Sequence, residues 1–232
     1  MDIKRVAPWE LLQKNMAWEQ LSSVHHKRVL DFGSGNGMTA DHFAIDNEVI
    51  AVEPNEIMIR DRFFENSYTQ IRGDIESLKH FEDESFDVIL CHNVLEYADE
   101  REQILDAFSR LLRKNGLLSV MKHNRAGRVM QMVVLLNNFA HAEELLAGKN
   151  GYAQQFGAIH YYEDHELLGW SHAFEVERVF GIRTFWDLQQ NQEVHKDKAW
   201  QQQMLDIELK VSEIEEYRAI ASFHHVILRK KQ

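Results

Sequence analysis

The chain has 232 residues, 44% hydrophobic and 27% charged, which is enough apolar matter for a sizeable core and too ordinary a charge content for general disorder. A formal net charge of −11 excludes a broad basic face for nonspecific nucleic-acid or membrane binding. One cysteine, Cys91, excludes an intramolecular disulfide and fits the reducing cytoplasm, where the protein is expected; Met1 to Glu10 lacks the apolar core of a signal peptide, and no run approaches the ~20 apolar residues of a membrane span.

Apolar residues at Leu11, Leu12, Met16, Ala17 and Leu21 recur at helical spacing and predict a helix from Trp9 to Leu21. Lys27 to Phe32 reads as a short buried strand, followed by a glycine-rich turn and a helix from Met38 to Ala44. Glu48 to Val52 predicts a second strand. Pro54 suits a first helical turn, and the helix it opens is expected to reach Phe64. Tyr68 to Arg72 and Phe86 to Cys91 predict the third and fourth strands. Arg101 to Arg113 predicts an amphipathic helix, ended by Lys114-Asn115-Gly116, and Leu117 to Met121 a fifth strand. Beyond it the spacing predicts one long helix from Arg125 to Leu146, a loop from Tyr152 to Tyr162 and a short helix from Glu163 to Ser171. Two more strands, Glu175 to Phe185 and Ala219 to Arg229, flank a helix from Lys198 to Glu216.

Near-continuous apolar strands alternating with helices predict the α/β class, with a parallel sheet covered on both faces and right-handed crossovers. Only two prolines occur, with no low-complexity linker, so one domain is expected over 1–232. It divides into an N-terminal helix (1–26), a ligand-binding core (27–121), a lid or substrate region (122–172) and C-terminal strands with a helix (173–232).

The run Asp31-Phe32-Gly33-Ser34-Gly35-Asn36-Gly37 closes the first strand and opens a helix, the place where open α/β sheets bind ligands. A dinucleotide fingerprint needs a third glycine where Met38 stands, which argues against a nicotinamide-dependent reductase. A phosphate loop needs Lys-Ser/Thr where the chain has Met38-Thr39. The second strand ends in Glu53-Pro54, where a carboxylate can accept from both ribose hydroxyls or stand as a solvated acid at a helix start. Gly73-Asp74-Ile75 follows the third strand. The fourth runs Phe86-Asp87-Val88-Ile89-Leu90-Cys91-His92-Asn93-Val94-Leu95-Glu96-Tyr97, and "LLRKNGLL" spans Leu111 to Leu118.

These blocks, from Lys27 to Met121, resemble the class I S-adenosylmethionine-dependent methyltransferases. The resemblance implies a Rossmann-like, doubly wound, mostly parallel seven-stranded sheet with an antiparallel last strand. It implies S-adenosyl-L-methionine as cofactor, with S-adenosyl-L-homocysteine as product. Asp31, Gly33, Ser34, Gly35, Asn36 and Gly37 would face the methionine group. Glu53, beside Pro54, would hold the ribose. Asp74 would accept from the adenine amino group, unless it is a plain turn residue, and Ile75 would pack on the ring. His92 and Asn93 would lie beneath the transferring methyl, with a satisfied, noncatalytic His92 as the alternative.

The second half carries its own resemblance. "GIRTFWD" (Gly181 to Asp187), a following helix with Leu205, Glu208 and Leu209, and "FHHVILRK" resemble bacterial tRNA wobble-uridine methyltransferases, which esterify a 5-carboxymethoxy group in the anticodon. His123-Asn124 and Asn137-Asn138-Phe139 resemble their lid. That family also carries a Tyr-Gly-Thr-Thr-Lys-Gly segment, which this sequence lacks, and an arginine for the cofactor carboxylate near the positions of Gln13 and Lys14. A carboxylate acceptor needs cations and no strong base, because the sulfonium is already activated. Lys122, His123, Asn124, Arg125, Arg128 and Arg183 are the substrate-side candidates, Arg183 by a bidentate pair and as a catalytic residue with His92 and Asn93, the alternative being ordinary surface cations. His25-His26 and His224-His225 are adjacent pairs whose members point to opposite faces, so no metal site is expected. The expected activity is methyl transfer to an oxygen or nitrogen acceptor, a carboxylate among them, on a tRNA anticodon or a small molecule, with no membrane partner. The alternative is a noncatalytic cofactor-binding partner or sensor.

Overall fold

Strand order in the computed structural model, which describes residues 6–153 and 157–232, is β3-β2-β1-β4-β5-β9-β8 in one seven-stranded sheet. The strands are β1 (Arg28–Phe32), β2 (Glu48–Glu53), β3 (Thr69–Arg72), β4 (Phe86–His92), β5 (Leu112–His123), β8 (Phe174–Ile182) and β9 (Phe223–Lys230). β1 pairs in parallel with β2 (Leu30 opposite Ile50) and with β4 (Leu30 opposite Ile89). β9 alone runs antiparallel, wedged between β5 (Ser119 opposite Ile227) and β8 (Val179 opposite Val226). The Rossmann-like sheet with its antiparallel last strand is therefore as expected.

The central strands are buried on both faces, which is why they read as near-continuous apolar runs. On one face Leu30, Phe32, Ile89 and Cys91 pack against Ile104, Leu105 and Phe108 of α4 (Arg101–Leu111) and Leu167 of α7 (Glu166–Trp170). On the other, Val29, Val49, Ala51 and Leu90 pack with Phe43 of α2 (Met38–Phe43) and with Leu21, which follows α1 (Pro8–Gln20). Met16 and Ala17 of α1 join Met121, Ile182 and Phe223, and Leu205 and Leu209 of α8 (Lys198–Val211) flank them.

Several expected elements are shorter or split, each for a local reason. α3 covers only Glu56–Arg60, and it is Asn55 rather than Pro54 that opens it, its side chain accepting from Ile57 and Met58. Its continuation is diverted, because Phe63 N–H donates to Asn36 C=O and the Asp41 carboxylate accepts the amides of Glu65 and Asn66. α4 stops at Leu111, where the chain enters β5 directly. Leu112 pairs with Phe86 and Leu117 with Val88, so residues 113–116 bulge outward, with Asn115 at φ +60°. The expected long helix is broken. α5 (Arg125–Met130) runs into a π-helical turn (Gln131–Leu135). Asn137 then takes φ +49°, and Asn138 caps α6 (Phe139–Leu146) by accepting from His141. The expected loop contains a hairpin, β6 (Gly151–Ala153) against β7 (Gly157–Ile159), with positions 154–156 outside the described residues. α8 ends at Val211 and a separate turn, α9 (Glu215–Arg218), follows, so residues 219–222 are not strand.

Candidate active site

The loop after β1 is held by its own backbone. Gly33 N–H and Ser34 N–H both donate to Val52 C=O, at 2.8 and 3.1 Å. Gly33 sits at φ +74°, and a Cβ there would stand 2.3 Å from Val94 Cγ2. Gly37 sits at φ +72°, where a Cβ would stand 2.2 Å from the Tyr68 hydroxyl. Gly35 N–H donates to Glu53 Oε2 at 2.8 Å, while Glu53 Oε1 accepts from Asn55 N–H at 2.9 Å. Glu53 is thus buried and ties the loop to the end of β2, keeping lone pairs for further donors. Pro54 is exposed beside it.

Around this loop four buried polar atoms have no partner: Asp31 Oδ2, Ser34 Oγ, His92 Nδ1 and Asn93 Oδ1. They come from the carboxyl ends of β1 and β4, the neighbours at the centre of the sheet. Buried polar groups without partners are rare, so their convergence marks a binding surface. Burial pushes the Asp31 carboxyl up to about 6, opposed by the Lys14 ammonium and reinforced by the charge of Glu53. Lys14 reaches over from α1 and donates to Thr39 Oγ1 at 2.8 Å; burial pushes its own pKa down. Asp74 is exposed on the far rim, capping a short helical turn through Glu76 N–H at 3.0 Å, with Ile75 half-buried next to it.

His92 is engaged on one side only. Its Nε2 lies 2.7 Å from Ser119 Oγ, which lies 2.6 Å from His225 Nε2; His225 Nδ1 lies 2.7 Å from Gln20 Oε1. Burial holds His225 down to about 3 and His92 well below the usual histidine range. Asn93 follows at φ +57°, its N–H donating to Met121 C=O at 2.8 Å.

A second space opens beyond β5. A cavity of about 730 Å³ lies between Trp9, Arg183, Trp186 and Phe223 on one side and Arg128, with Tyr152 and Ile159 of the hairpin, on the other. His123 lines it. Burial holds this imidazole near pKa 3; its Nε2 lies 3.3 Å from the Tyr97 hydroxyl, and its ring packs on Phe223 at 4.5 Å between centroids. Behind it, burial pushes Glu96 up to about 7, and Glu96 Oε1 accepts from His123 N–H at 3.4 Å.

Arg183 does reach this cavity, but not as the free fork expected. Its Nη1 donates to Gln13 Oε1 at 2.9 Å and its Nη2 donates to Asp187 Oδ1, while the guanidinium lies over the Trp9 and Phe223 rings. Only Nε lacks a partner. Arg183 sits at φ +61°, and the three amides that follow donate to the buried Glu208 carboxylate, at 2.7 Å from Thr184, 2.8 Å from Phe185 and 3.0 Å from Trp186.

Three expected substrate-side residues are placed elsewhere. Lys122 alternates with His123 along β5 and so faces the other side, where it donates to Tyr162 C=O and pairs with Asp164 at 3.1 Å. Asn124 is consumed by structure, capping α5 and donating to Ala219 and Ala221 carbonyls at 3.0 and 2.8 Å. Arg125 donates to Leu145 C=O at 3.2 Å, under the Tyr161 ring. Arg128 remains at the cavity, against Gln131 Oε1. Glu96, Trp9 and Trp186 were not singled out from sequence; Glu96 lies inside the quoted fourth-strand block, and its burial there was the signal missed.

Comparison with known proteins bears on this geometry. The family described as "Methyltransferase domain" matches residues 30–120. The tRNA 5-carboxymethoxyuridine methyltransferase of Escherichia coli (strain K12) is 24% identical, over 95% of this chain and 89% of that protein. A ubiquinone biosynthesis O-methyltransferase of Glaesserella parasuis is 22% identical, over 77% of this chain and 78% of that protein. Among solved structures, a methyltransferase of Listeria monocytogenes described as S-adenosylmethionine-dependent superposes with a TM-score of 0.65 at 14% identity. That match covers 96% of this chain and 100% of the other. Among the described residues no helix is long and apolar enough to cross a membrane.

Proposed function

We propose that this chain is an S-adenosylmethionine-dependent methyltransferase, as the methyltransferase-domain match over residues 30–120 and the relatives support, and that it transfers the methyl group to an oxygen of a planar, anionic acceptor seated in the cavity beside His123. The observation that carries the cofactor's placement is the convergence of Asp31 Oδ2, Ser34 Oγ, His92 Nδ1 and Asn93 Oδ1 on the glycine loop. That acceptor-rich surface beside one ammonium, Lys14, fits a zwitterionic methionine group: Lys14 takes its carboxylate, and Asp31 its ammonium. Residues 33–37 supply backbone against it. Glu53 takes the ribose hydroxyls with its remaining lone pairs, Asp74 the adenine amino group, and Ile75 packs on the ring.

When bound, S-adenosylmethionine supplies a methyl group already activated on a sulfonium. What the protein adds is placement and dryness. Trp9, Trp186 and Phe223 give flat walls for a ring, Arg128 gives positive charge at its edge, and Arg183, its charge balanced by Asp187, gives an unpartnered Nε–H donor. His123 is neutral at ordinary pH and leaves the acceptor its own charge. The relatives' acceptors, a tRNA uridine in one case and ubiquinone precursors in the other, supply the two substrate classes to try.

The test has two stages. Calorimetric titration of the folded protein with S-adenosylhomocysteine should give saturable binding at micromolar ligand, and no heat there overturns the placement. Methyl transfer from labelled cofactor is then assayed on anticodon stem-loops bearing a 5-carboxymethoxyuridine and on small phenols and arylcarboxylates. Incorporation only into amines or amides would overturn the oxygen acceptor.

A further inference from the structure

The buried file of side chains behind His92 has no place in the reading above. It runs from Gln20, on the last turn of α1, through His225 on β9 and Ser119 on β5 to His92 at the end of β4. Ser119 and His225 are fully buried, so nothing but the file itself satisfies their polar atoms. Both imidazoles are neutral, because burial opposes their protonation and the nearby Lys14 ammonium further opposes charge on His92.

A neutral imidazole carries one N–H and a serine one O–H, so the three contacts can be satisfied in only two ways. In the first, His92 Nε2–H donates to Ser119 Oγ, Ser119 O–H donates to His225 Nε2, and His225 Nδ1–H donates to Gln20 Oε1. In the second every donor and acceptor is reversed, which requires the Gln20 amide nitrogen to face His225. The amide oxygen stands 2.7 Å from His225 Nδ1, with Gln20 Nε2 left without a partner, and this orientation corresponds to the first. His92 Nδ1 is then a lone pair, and it is the atom left without a partner beside the glycine loop.

We propose that Gln20, His225 and Ser119 are positioning residues that fix His92 as its Nε2–H tautomer, so that Nδ1 serves as hydrogen-bond acceptor for the α-ammonium of the cofactor's methionine group. The proposal rests on the cofactor placement given above. It explains why a serine and a histidine, polar and fully buried, occupy central strands where apolar residues would pack as well. Only an oriented acceptor at the far end needs the file.

The test reads the tautomer and the affinity separately. In protein labelled with 15N-histidine, His92 Nδ1 of the ligand-free wild type should give the shift of an unprotonated ring nitrogen. It should move on addition of S-adenosylhomocysteine and stay put with the analogue whose α-amino group is replaced by hydrogen. Ser119→Ala should mix the two His92 tautomers, weaken S-adenosylhomocysteine about tenfold, and change affinity for the deamino analogue less than about twofold. Gln20→Met, at a half-buried position, should act the same way if Ser119→Ala fails to fold, whereas Gln20→Glu, an obligate acceptor, should retain wild-type behaviour. An Nδ1–H tautomer in the wild type, or equal weakening of both ligands in the variants, overturns the proposal. No binding of S-adenosylhomocysteine at all overturns the cofactor placement instead, with the tautomer still read independently.

Discussion

Gln13 Oε1 accepts from Arg183 Nη1 at 2.9 Å, joining α1 to the loop after β8 across 170 residues of chain. The next residue on α1, Lys14, turns the other way and meets Thr39 at the start of α2. One helical turn therefore touches both halves of the cleft. This link also changes what an Arg183 substitution measures.

Arg183 and Asp187 form a buried ion pair, so Arg183→Ala should strand a buried carboxylate and cost about 3 kcal/mol of stability. The double variant Arg183→Ala/Asp187→Ala should recover part of that loss. Urea denaturation of the four proteins in the cycle checks this. A single variant as stable as wild type would show that Arg183 is free for ligand after all.

Asp31 ionises near pH 6 in the folded chain, above the usual carboxylate value. Its carboxylate form favours a cationic ligand group, so affinity for S-adenosylhomocysteine should tighten as pH rises from 5 to 7, and Asp31→Asn should flatten that profile. Linkage sets the opposite sign for stability. A raised folded pKa contributes below the unfolded value, near 4, and its contribution is lost as pH rises through about 6. Calorimetric titrations and denaturation curves on the same pH series check both signs.

Asp164 is held down to about 2 by His224 and Lys122, against the cost of its burial. A depressed carboxyl stabilises the fold above its unfolded pKa and loses that contribution as pH falls from about 4 toward 2. Asp164→Asn should therefore lower the denaturation midpoint at pH 6 and make little difference at pH 2. Equal effects at the two pH values would count against the pairing.

Gly33→Ala should abolish cofactor binding at concentrations that saturate the wild type. The new Cβ meets Val94 at 2.3 Å on a backbone already at φ +74°, a strain of about 1–3 kcal/mol before any clash is counted. Thermal melting and ligand titration together separate a displaced loop from an unfolded chain.

Glu208→Gln should loosen the wall of the cavity but spare the glycine loop. Its two oxygens accept three consecutive amides. A glutamine replaces one oxygen with a donor that faces an amide, a loss of about 1–3 kcal/mol. Methyl transfer should fall while binding of S-adenosylhomocysteine stays near wild type, as measured on the same preparation.

The first half of the fold was legible because its signals are local. An apolar strand, a glycine turn and an amphipathic helix each declare themselves within ten residues, and Asp31, Glu53 and His92 lie where those signals place them. The second half depends on contacts between distant segments. That Asn137 breaks a helix, or that residues 113–116 bulge from β5, follows from partners far off in sequence. The cations misled for the same reason. Lys122 and His123 are adjacent, and only the register of β5 against β9 decides which one faces the cavity and which one Asp164. His224 and His225 point two ways, as neighbours on a strand must, yet nothing in the sequence tells that His225 reaches Ser119.

β9 is synthesised after β8 but lies between it and β5, and this imposes an order on folding. β8 has no edge to join until β9 is in place, so a nascent chain can assemble the glycine loop and the five strands around it while Arg183, Asp187 and the cavity wall still hang from an unpaired segment. The glycine loop and the acceptor wall are thus separable in time: a chain stalled before Phe223 should present the loop without the wall, and without the His225 contact that orients His92.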